Sequence, residues 1–440
     1  MKTAAVICEL NPFHNGHTRI FRELRQKHGA DRIVAIMSGN YVQRGEPAVF
    51  DKYVRTRMAL TGSGNTDGGY ADLVLELPLV FATSSAHEFA AAGIRLAAAT
   101  GIIDMLGFGI EAPASLTSLS ELAVRMDEAS VSSAESDPAA VRLRELLASG
   151  LTYPAALSEA FGIVGLTPNN ILAVEYLRAL HALEYEADPD GRRSARITPL
   201  SVIRNGDSYS ASEVSDTKYT SATALRTGIL GIAAEMRSGG SASQDTFTYS
   251  AVPEILHPLY RELIKGDCAL HPDALSLLLE SRILAAAHGR SISNIPLSSY
   301  LDVSREIADR LMRRADRPMT FTERIEDTKT RQYTYSRISR ALLHIALGIT
   351  CDQAKKAKSQ GYVNHIRILG FRREAADLMH ELQRLTKVPV ITKPADHKEL
   401  LEESIFPDQI YYAAQAAGRK YVTDDKGPVR SEYGRTPVII

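Results

Sequence analysis

Two histidines three residues apart, His14 and His17, flank Gly16 in the run Asn11-Pro12-Phe13-His14-Asn15-Gly16-His17. Imidazoles at i and i+3 can donate hydrogen bonds to phosphate oxygens and stabilise charge that develops on a leaving pyrophosphate. The glycine between them lets a phosphate approach the backbone. The same pair could ligate a metal, but such a site wants a third protein ligand, and no carboxylate–histidine spacing supplies one, so no metal site is expected. The bland alternative is a turn whose Asn, Pro and Gly only redirect the chain. Placement favours the chemistry. The apolar run Thr3 to Glu9 precedes the motif, and a helical stretch from Thr18 to Gln26, with Ile20, Phe21 and Leu24 on its apolar face, follows it. The motif thus falls at the carboxyl end of a strand and the amino end of a helix. Open α/β sheets bind ligands there, and free N–H groups with the helix dipole favour an anion.

The elements that must hold this motif follow from the hydrophobic pattern. The chain has 440 residues, 45% apolar and 23% charged, enough for two or three globular domains. Five short apolar runs alternate with helical periods: Thr3 to Glu9, Arg32 to Ser38, Asp72 to Leu77, Ile103 to Phe108 and Ile197 to Ile203. Runs of this kind are strands buried on both faces, so the first half is expected to be an α/β fold with a Rossmann-like parallel sheet. Helical periods dominate after about residue 250, in Asp273 to Ala287, Ser304 to Arg314, Tyr335 to Leu347 and Arg373 to Leu385, predicting a mostly α-helical C-terminal domain. The Gly/Ser-rich stretch Ser238 to Ser243 puts the division at 1–240 and 241–440. Thr61 to Gly69 and Asp188 to Ser194 read as loops inserted on the core.

Other residues fall at the same sheet edge. Gln43 and Arg44, in a loop after the second strand, could reach a phosphate or a small carboxylate. Lys52, Arg55 and Arg57 on the next helix are expected on a solvated face. Glu76 ends the third strand, where it could help hold Mg²⁺, orient an amine or form a local ion pair. Asn169 and Asn170 follow Pro168 at a helix start, so one of them caps that helix or faces a nucleotide. Ser221, Thr223 and Arg226 open a later helix with hydroxyls and a cation one turn on, which suits a phosphate clamp or, for Ser221, a plain cap.

Net charge is −1, but it is segregated. Residues 72–145 hold eleven acids against four arginines, whereas 328–373 hold ten basic residues against Asp352 alone. Tyr333, Tyr335, Tyr362 and Phe371 are interleaved with those cations, the composition of an RNA-facing surface. On the Tyr335 to Leu347 helix, Arg337, Arg340 and His344 share one face, opposite apolar Ile338, Leu342 and Ile345. Cys8, Cys268 and Cys351 are too few and too scattered for a disulfide framework, and no apolar run is long enough to span a membrane, so a cytoplasmic location is expected.

The motif and its surroundings resemble nucleotidyltransferases with the His-x-Gly-His signature. Glu9 with Asn11 to His17, Met37 to Pro47 and Asp72 to Pro78 narrow the likeness to the tRNA(Met) cytidine acetate ligase family, and it extends through Tyr335 to Ile349 and Ile366 to Phe371. It departs at Leu10, where an aromatic is more typical, and at the two inserted loops. The resemblance implies an ATP-dependent ligase that forms acetyl-adenylate from acetate and acetylates N4 of the wobble cytidine of elongator tRNA(Met). It implies catalytic roles for His14 and His17. It places ATP contacts at Ile7, Cys8, Glu9, Leu10, Asn11, Pro12, Phe13, His14, Asn15, Gly16, His17, Thr18, Arg19 and Ile20. Further ATP contacts are implied at Gly109, Asn169 or Asn170, Arg204, Ser221, Thr223 and Arg226, with Mg²⁺ accompanying ATP. The basic segment then becomes the tRNA surface, through Lys329, Arg331, Arg337, Arg340, Arg367, Arg372 and Arg373. No obligate protein partner is expected. A small-molecule adenylyltransferase and a nucleotide-regulated RNA-binding protein without chemistry are the competing readings.

Overall fold

The computed structural model describes residues 1–65, 67–131, 137–163, 166–185, 197–204, 221–238, 249–290, 295–417, 423–424, 427–428 and 431–440. The loop expected at Asp188 to Ser194 and most of the Gly/Ser-rich stretch lie outside these residues.

The expected strands form a contiguous run of one sheet that reaches one of its edges. These are β1 (Thr3–Cys8), β2 (Arg32–Ser38), β5 (Leu73–Leu77), β6 (Met105–Ile110) and β7 (Thr198–Ile203), with a small hairpin of β3 (Tyr41–Val42) and β4 (Glu46–Pro47) after β2. The five run parallel in the order β5-β2-β1-β6-β7. The chain therefore builds outward on one side of β1 and then resumes on the other. Its switch point lies between β1 and β6, where such sheets open a ligand crevice, and the His-x-Gly-His turn leaves β1 at that place.

Alternation along the strands fills both faces. Ala5, Ile7, Val34 and Ile36 pack on one side against the helices Ala86–Thr100 and Pro168–Tyr185. Ala4, Val6, Ala35 and Met37 pack on the other against α1 (Asn15–Gln26) and α2 (Lys52–Thr61). The fourth expected strand begins two residues later than its apolar run, because Asp104 serves its edge: the carboxylate accepts from Thr3 N–H at 2.8 Å.

The second half is mostly helical and has a core of its own, built from Leu279, Ile283, Ile307, Phe321, Ile338 and Leu342. It also returns strands to the sheet, which the helical periods did not predict. β8 (Ile366–Phe371) pairs antiparallel with β5, and β9 (Val390–Ile391) and β12 (Val438–Ile439) pair with β8. A further pair, β10 (Thr423–Asp424) and β11 (Gly427–Pro428), stands apart.

The β3–β4 hairpin is the bracket between the two halves. Tyr41 enters the helical core. Ser339 Oγ, on the Tyr335–Leu347 helix, donates to Gly45 O at 2.8 Å. Gly45 has φ +82°, and a Cβ there would run into the backbone of Ser339 and Arg340. Left-handed strain and backbone overlap act together, so Gly45→Ala is expected to destabilise the protein by about 3 kcal/mol. A shift of the urea midpoint at unchanged slope measures it.

Candidate active site

Between β1 and α1 the chain makes a tight passage. Leu10 sits in the left-handed region (φ +50°), buried, and the Asn11–Pro12 bond is cis. His14 then caps α1: its Nδ1 accepts from Gly16 N–H at 2.9 Å, and His17 Nδ1 accepts from His14 N–H at 3.2 Å. The two rings stand 4.0 Å apart, centroid to centroid. Gly16 is obligatory for this packing, since a Cβ there would lie 2.6 Å from His14 Cε1.

With both Nδ1 atoms accepting, hydrogen bonding assigns the neutral rings their proton at Nε2. Burial keeps them neutral. It pushes His14 well below the usual imidazole value, helped by His17, Arg204 and Arg226, and lowers His17 to about 3, helped by Arg204. Two uncharged N–H donors therefore stand ready for an anion. A histidine held neutral by the fold also makes folding sensitive to acid. Below pH 6.5 the unfolded chain takes up protons that folded His17 refuses until about pH 3. Stability is complete above the unfolded value and falls as pH drops through this window, by at most about 1.4 kcal/mol per unit per group. Urea midpoints between pH 7 and 5 report the slope, and His17→Gln should flatten it.

Cations converge on the same turn. Arg226 Nη1 donates to Asn11 O at 2.7 Å, its Nη2 lies 3.4 Å from Thr223 Oγ1, and its Nε lies 3.5 Å from Glu46 Oε1. Ser221 acts as the cap of the helix Ala222–Arg237, accepting from Ala224 N–H at 3.1 Å. Arg204 leaves β7 beside β6. A Cβ at Gly109 would lie 3.1 Å from its side chain, so Gly109 makes room for Arg204 in this state. Glu9 Oε1 accepts from Gln43 N–H at 2.9 Å; burial raises its carboxyl, and Arg44 and Arg226 oppose the rise. Ile7 and Cys8 are β1 core, burial pushing the Cys8 thiol up. Pro12, Phe13 and Ile20 are buried, Asn15 Nδ2 donates to Ser250 O at 2.8 Å, Thr18 bonds Asn15 O at 2.8 Å, and Arg19 pairs with Glu23 at 2.8 Å.

The two asparagines separate. Asn170 is buried and brackets residue 111, accepting from Glu111 N–H at 2.8 Å and donating to Glu111 O at 2.9 Å. Asn169 is half-buried and donates to the Glu111 carboxylate.

Two expectations are corrected. Lys52 and Arg55 are fully buried, not on a solvated face; only Arg57 is exposed. Arg55 donates to Glu9 O (2.5 Å), Ser38 O (3.1 Å) and Gly39 O, lacing together the ends of β1 and β2. Lys52 Nζ meets Glu76 at 2.9 Å, Asp408 at 2.5 Å and Glu432 at 2.9 Å, which places Glu76 in a buried ion cluster.

The basic face is the second correction. Arg367 is 3% exposed and belongs to that same cluster, pairing with Glu432 and, at 3.2 Å, Glu76. Arg372 is buried on Leu60 O at 2.8 Å and Asn65. Arg340 pairs with Asp302 at 3.0 Å, and His344 is buried between Leu301 O at 2.9 Å and Thr83 at 3.0 Å. Lys329 pairs with Glu326 and Lys358 with Glu88, but both lysines stay exposed. Arg331 and Arg373 are exposed, and Arg337 is half-buried over Tyr333. Arg367, Arg372 and Arg340 therefore leave the tRNA-facing set: distant acids claim Arg367 and Arg340, and Leu60 O with Asn65 holds Arg372. Glu46, whose carboxylate meets Arg226, was missed; its signal was its place in the same loop after the second strand as Gln43 and Arg44.

Among the described residues, no group of three or more His, Cys, Asp or Glu could hold a metal ion, and no helix is long and apolar enough to cross a membrane. The model of the HIGH Nucleotidyl Transferase family matches residues 1–425. A tRNA(Met) cytidine acetate ligase of Thermoanaerobacter sp. (strain X514) is 30% identical over 431 residues, 94% of this chain and 96% of that protein. The protein of that name from Caldanaerobacter subterraneus subsp. tengcongensis is 31% identical over 413 residues, 92% of each chain. Two crystal structures of Thermotoga maritima TmcAL share the fold at 24% identity: the apo form, at TM-score 0.78 over 100% of both chains, and the form bound with alpha-thio ATP, at 0.76 over 100% of this chain and 99% of that one. Matched along nearly its whole length by sequence and by shape, this chain belongs to the tRNA(Met) cytidine acetate ligase family of HIGH nucleotidyl transferases.

Proposed function

We propose that this protein uses ATP to activate acetate as acetyl-adenylate and then acetylates N4 of the wobble cytidine of elongator tRNA(Met). The observation that carries the first step is the pair of neutral Nε2–H donors at the switch point of the sheet, with Arg204 and Arg226 beside them. An acetate oxygen attacks the α-phosphorus, the bond from that phosphorus to the bridging oxygen breaks, and pyrophosphate leaves. His14, His17, Thr223 and Arg226 hold the β- and γ-phosphates and offset the charge that grows on them. Asn169, not Asn170, is the asparagine left to contact the nucleotide. Mg²⁺ accompanying ATP would be held mainly by the phosphate oxygens and would offset part of their charge.

In the second step the cytidine amine attacks the acyl carbon and AMP leaves; positioning supplies most of the rate. Lys329, Arg331 and Arg337, at the start of the Tyr335–Leu347 helix or just before it, face the tRNA. The catalytic work lies in residues 1–240 and the tRNA contacts in 241–440. The location is the cytoplasm, and three widely spaced cysteines suit a reducing compartment better than a disulfide framework. The test is isotope exchange between pyrophosphate and ATP without RNA. Exchange that requires acetate supports the reading, whereas exchange that ignores acetate but responds to a phosphorylated metabolite replaces it with a small-molecule adenylyltransferase.

A further inference from the structure

The acetyl-transfer step needs an acceptor for the proton that N4 loses, and the histidines, both committed to the phosphates, do not provide one. The β3–β4 hairpin carries the candidate. It is fastened to the nucleotide side by Gln43 N–H on Glu9 (2.9 Å) and to the helical side by Ser339 on Gly45 (2.8 Å). Glu46 lies on it between these ties. Its Oε1 stands 3.5 Å from Arg226 Nε, outside hydrogen-bond geometry, and is buried with no hydrogen-bond partner among the described residues. Its side chain as a whole is 19% exposed, so one edge of it reaches solvent. Its charge is felt by Glu9 on one side and by Tyr335 on the other, where burial first, and then Glu46, raises the phenol to about 12. Tyr335 is 43% exposed at the start of the basic helix. A carboxylate with spare acceptor capacity thus sits at the seam between the adenylating turn and an exposed aromatic ring on which a base can stack.

We propose that Glu46 is the general base of acetyl transfer. As the N4–C bond forms and the acyl–oxygen bond to AMP breaks, the N4 proton passes to the Glu46 carboxylate, and AMP leaves as the phosphate monoester anion. This rests on the ligase function proposed above, and the experiment keeps the two apart. Wild type, Glu46→Gln and Glu46→Asp are each given ATP and labelled acetate, and two half-reactions are measured: acetate-dependent pyrophosphate exchange, and single-turnover transfer of label from enzyme-bound acetyl-adenylate to tRNA across pH. The amide of Glu46→Gln can still face Arg226, so exchange should change less than tenfold. Transfer should fall by ~10²-fold or more, with partial recovery in Glu46→Asp. Equal loss of both half-reactions in Glu46→Gln would overturn the proposal, showing that Glu46 acts only through Arg226. Unchanged transfer would overturn it too, leaving the departing AMP phosphate as proton acceptor. If the wild type itself transfers no label to tRNA, the function fails and not merely the base.

Discussion

Replacing His17 with alanine will lower acetate-dependent pyrophosphate release by ~10²-fold or more while tRNA binding survives. The size follows from the state of the ring. Burial holds His17 neutral, and its Nδ1 is occupied by His14 N–H, which leaves Nε2–H as a fixed donor. A fixed donor needs no reorganisation when negative charge gathers on the leaving pyrophosphate, and this is where enzymes gain most from hydrogen bonds. The substitution also removes half of a capping box, worth about 0.5–2 kcal/mol of stability. His17→Gln separates the two roles. A glutamine at the third helical position can still accept from the cap N–H, so this variant should melt near the wild type and still lose the exchange reaction. Recovery of exchange in His17→Gln would mean that the cap, not the donor, is what matters.

Arg367→Ala is expected to cost about 3–5 kcal/mol of stability, enough to unfold much of the protein at ambient temperature. Arg367 and Lys52 face three carboxylates, Glu76, Asp408 and Glu432, in a region closed to water. Burial raises the Asp408 carboxyl. Glu432 is also pushed up by burial, but Lys52 and Arg367 overcome this and hold it low. Removing Arg367 leaves three buried acids facing Lys52 alone, which is far costlier than losing a surface arginine. Arg331→Ala, at an exposed position, should leave the denaturation midpoint within about 0.5 kcal/mol of the wild type and weaken tRNA binding with a shallower salt dependence. If Arg367→Ala stayed folded and only RNA affinity fell, the buried-cluster assignment would be wrong.

How far the sequence could be read depended on whether a signal is local. The parallel strands are continuous apolar runs, and four of the five match to within about one residue at either end; the fourth is displaced by Asp104, whose edge contact with Thr3 lies across the sheet. The histidine turn was legible because its strand, glycine and helix are consecutive. The charge of residues 328–373 was legible only as a sum. Arg340 finds Asp302, Lys358 finds Glu88, and Arg367 finds Glu76 and Glu432, all outside the segment. A cation's exposure is decided by partners that sequence proximity does not show, and for the same reason Lys52 and Arg55 looked like surface residues. β8 hid in plain sight: Ile366 to Phe371 is an apolar run of strand length, but it holds Arg367 and lies among helical periods. Asn169 and Asn170 could be told apart only once residue 111 was seen between the arms of Asn170.

The most direct test gives the purified protein ATP, labelled acetate and elongator tRNA(Met), then digests the RNA to nucleosides. Label in N4-acetylcytidine from the wobble position, dependent on ATP and absent with His17→Gln, is the predicted result. Label missing from RNA while ATP is consumed, or AMP appearing on a small molecule instead, would contradict it.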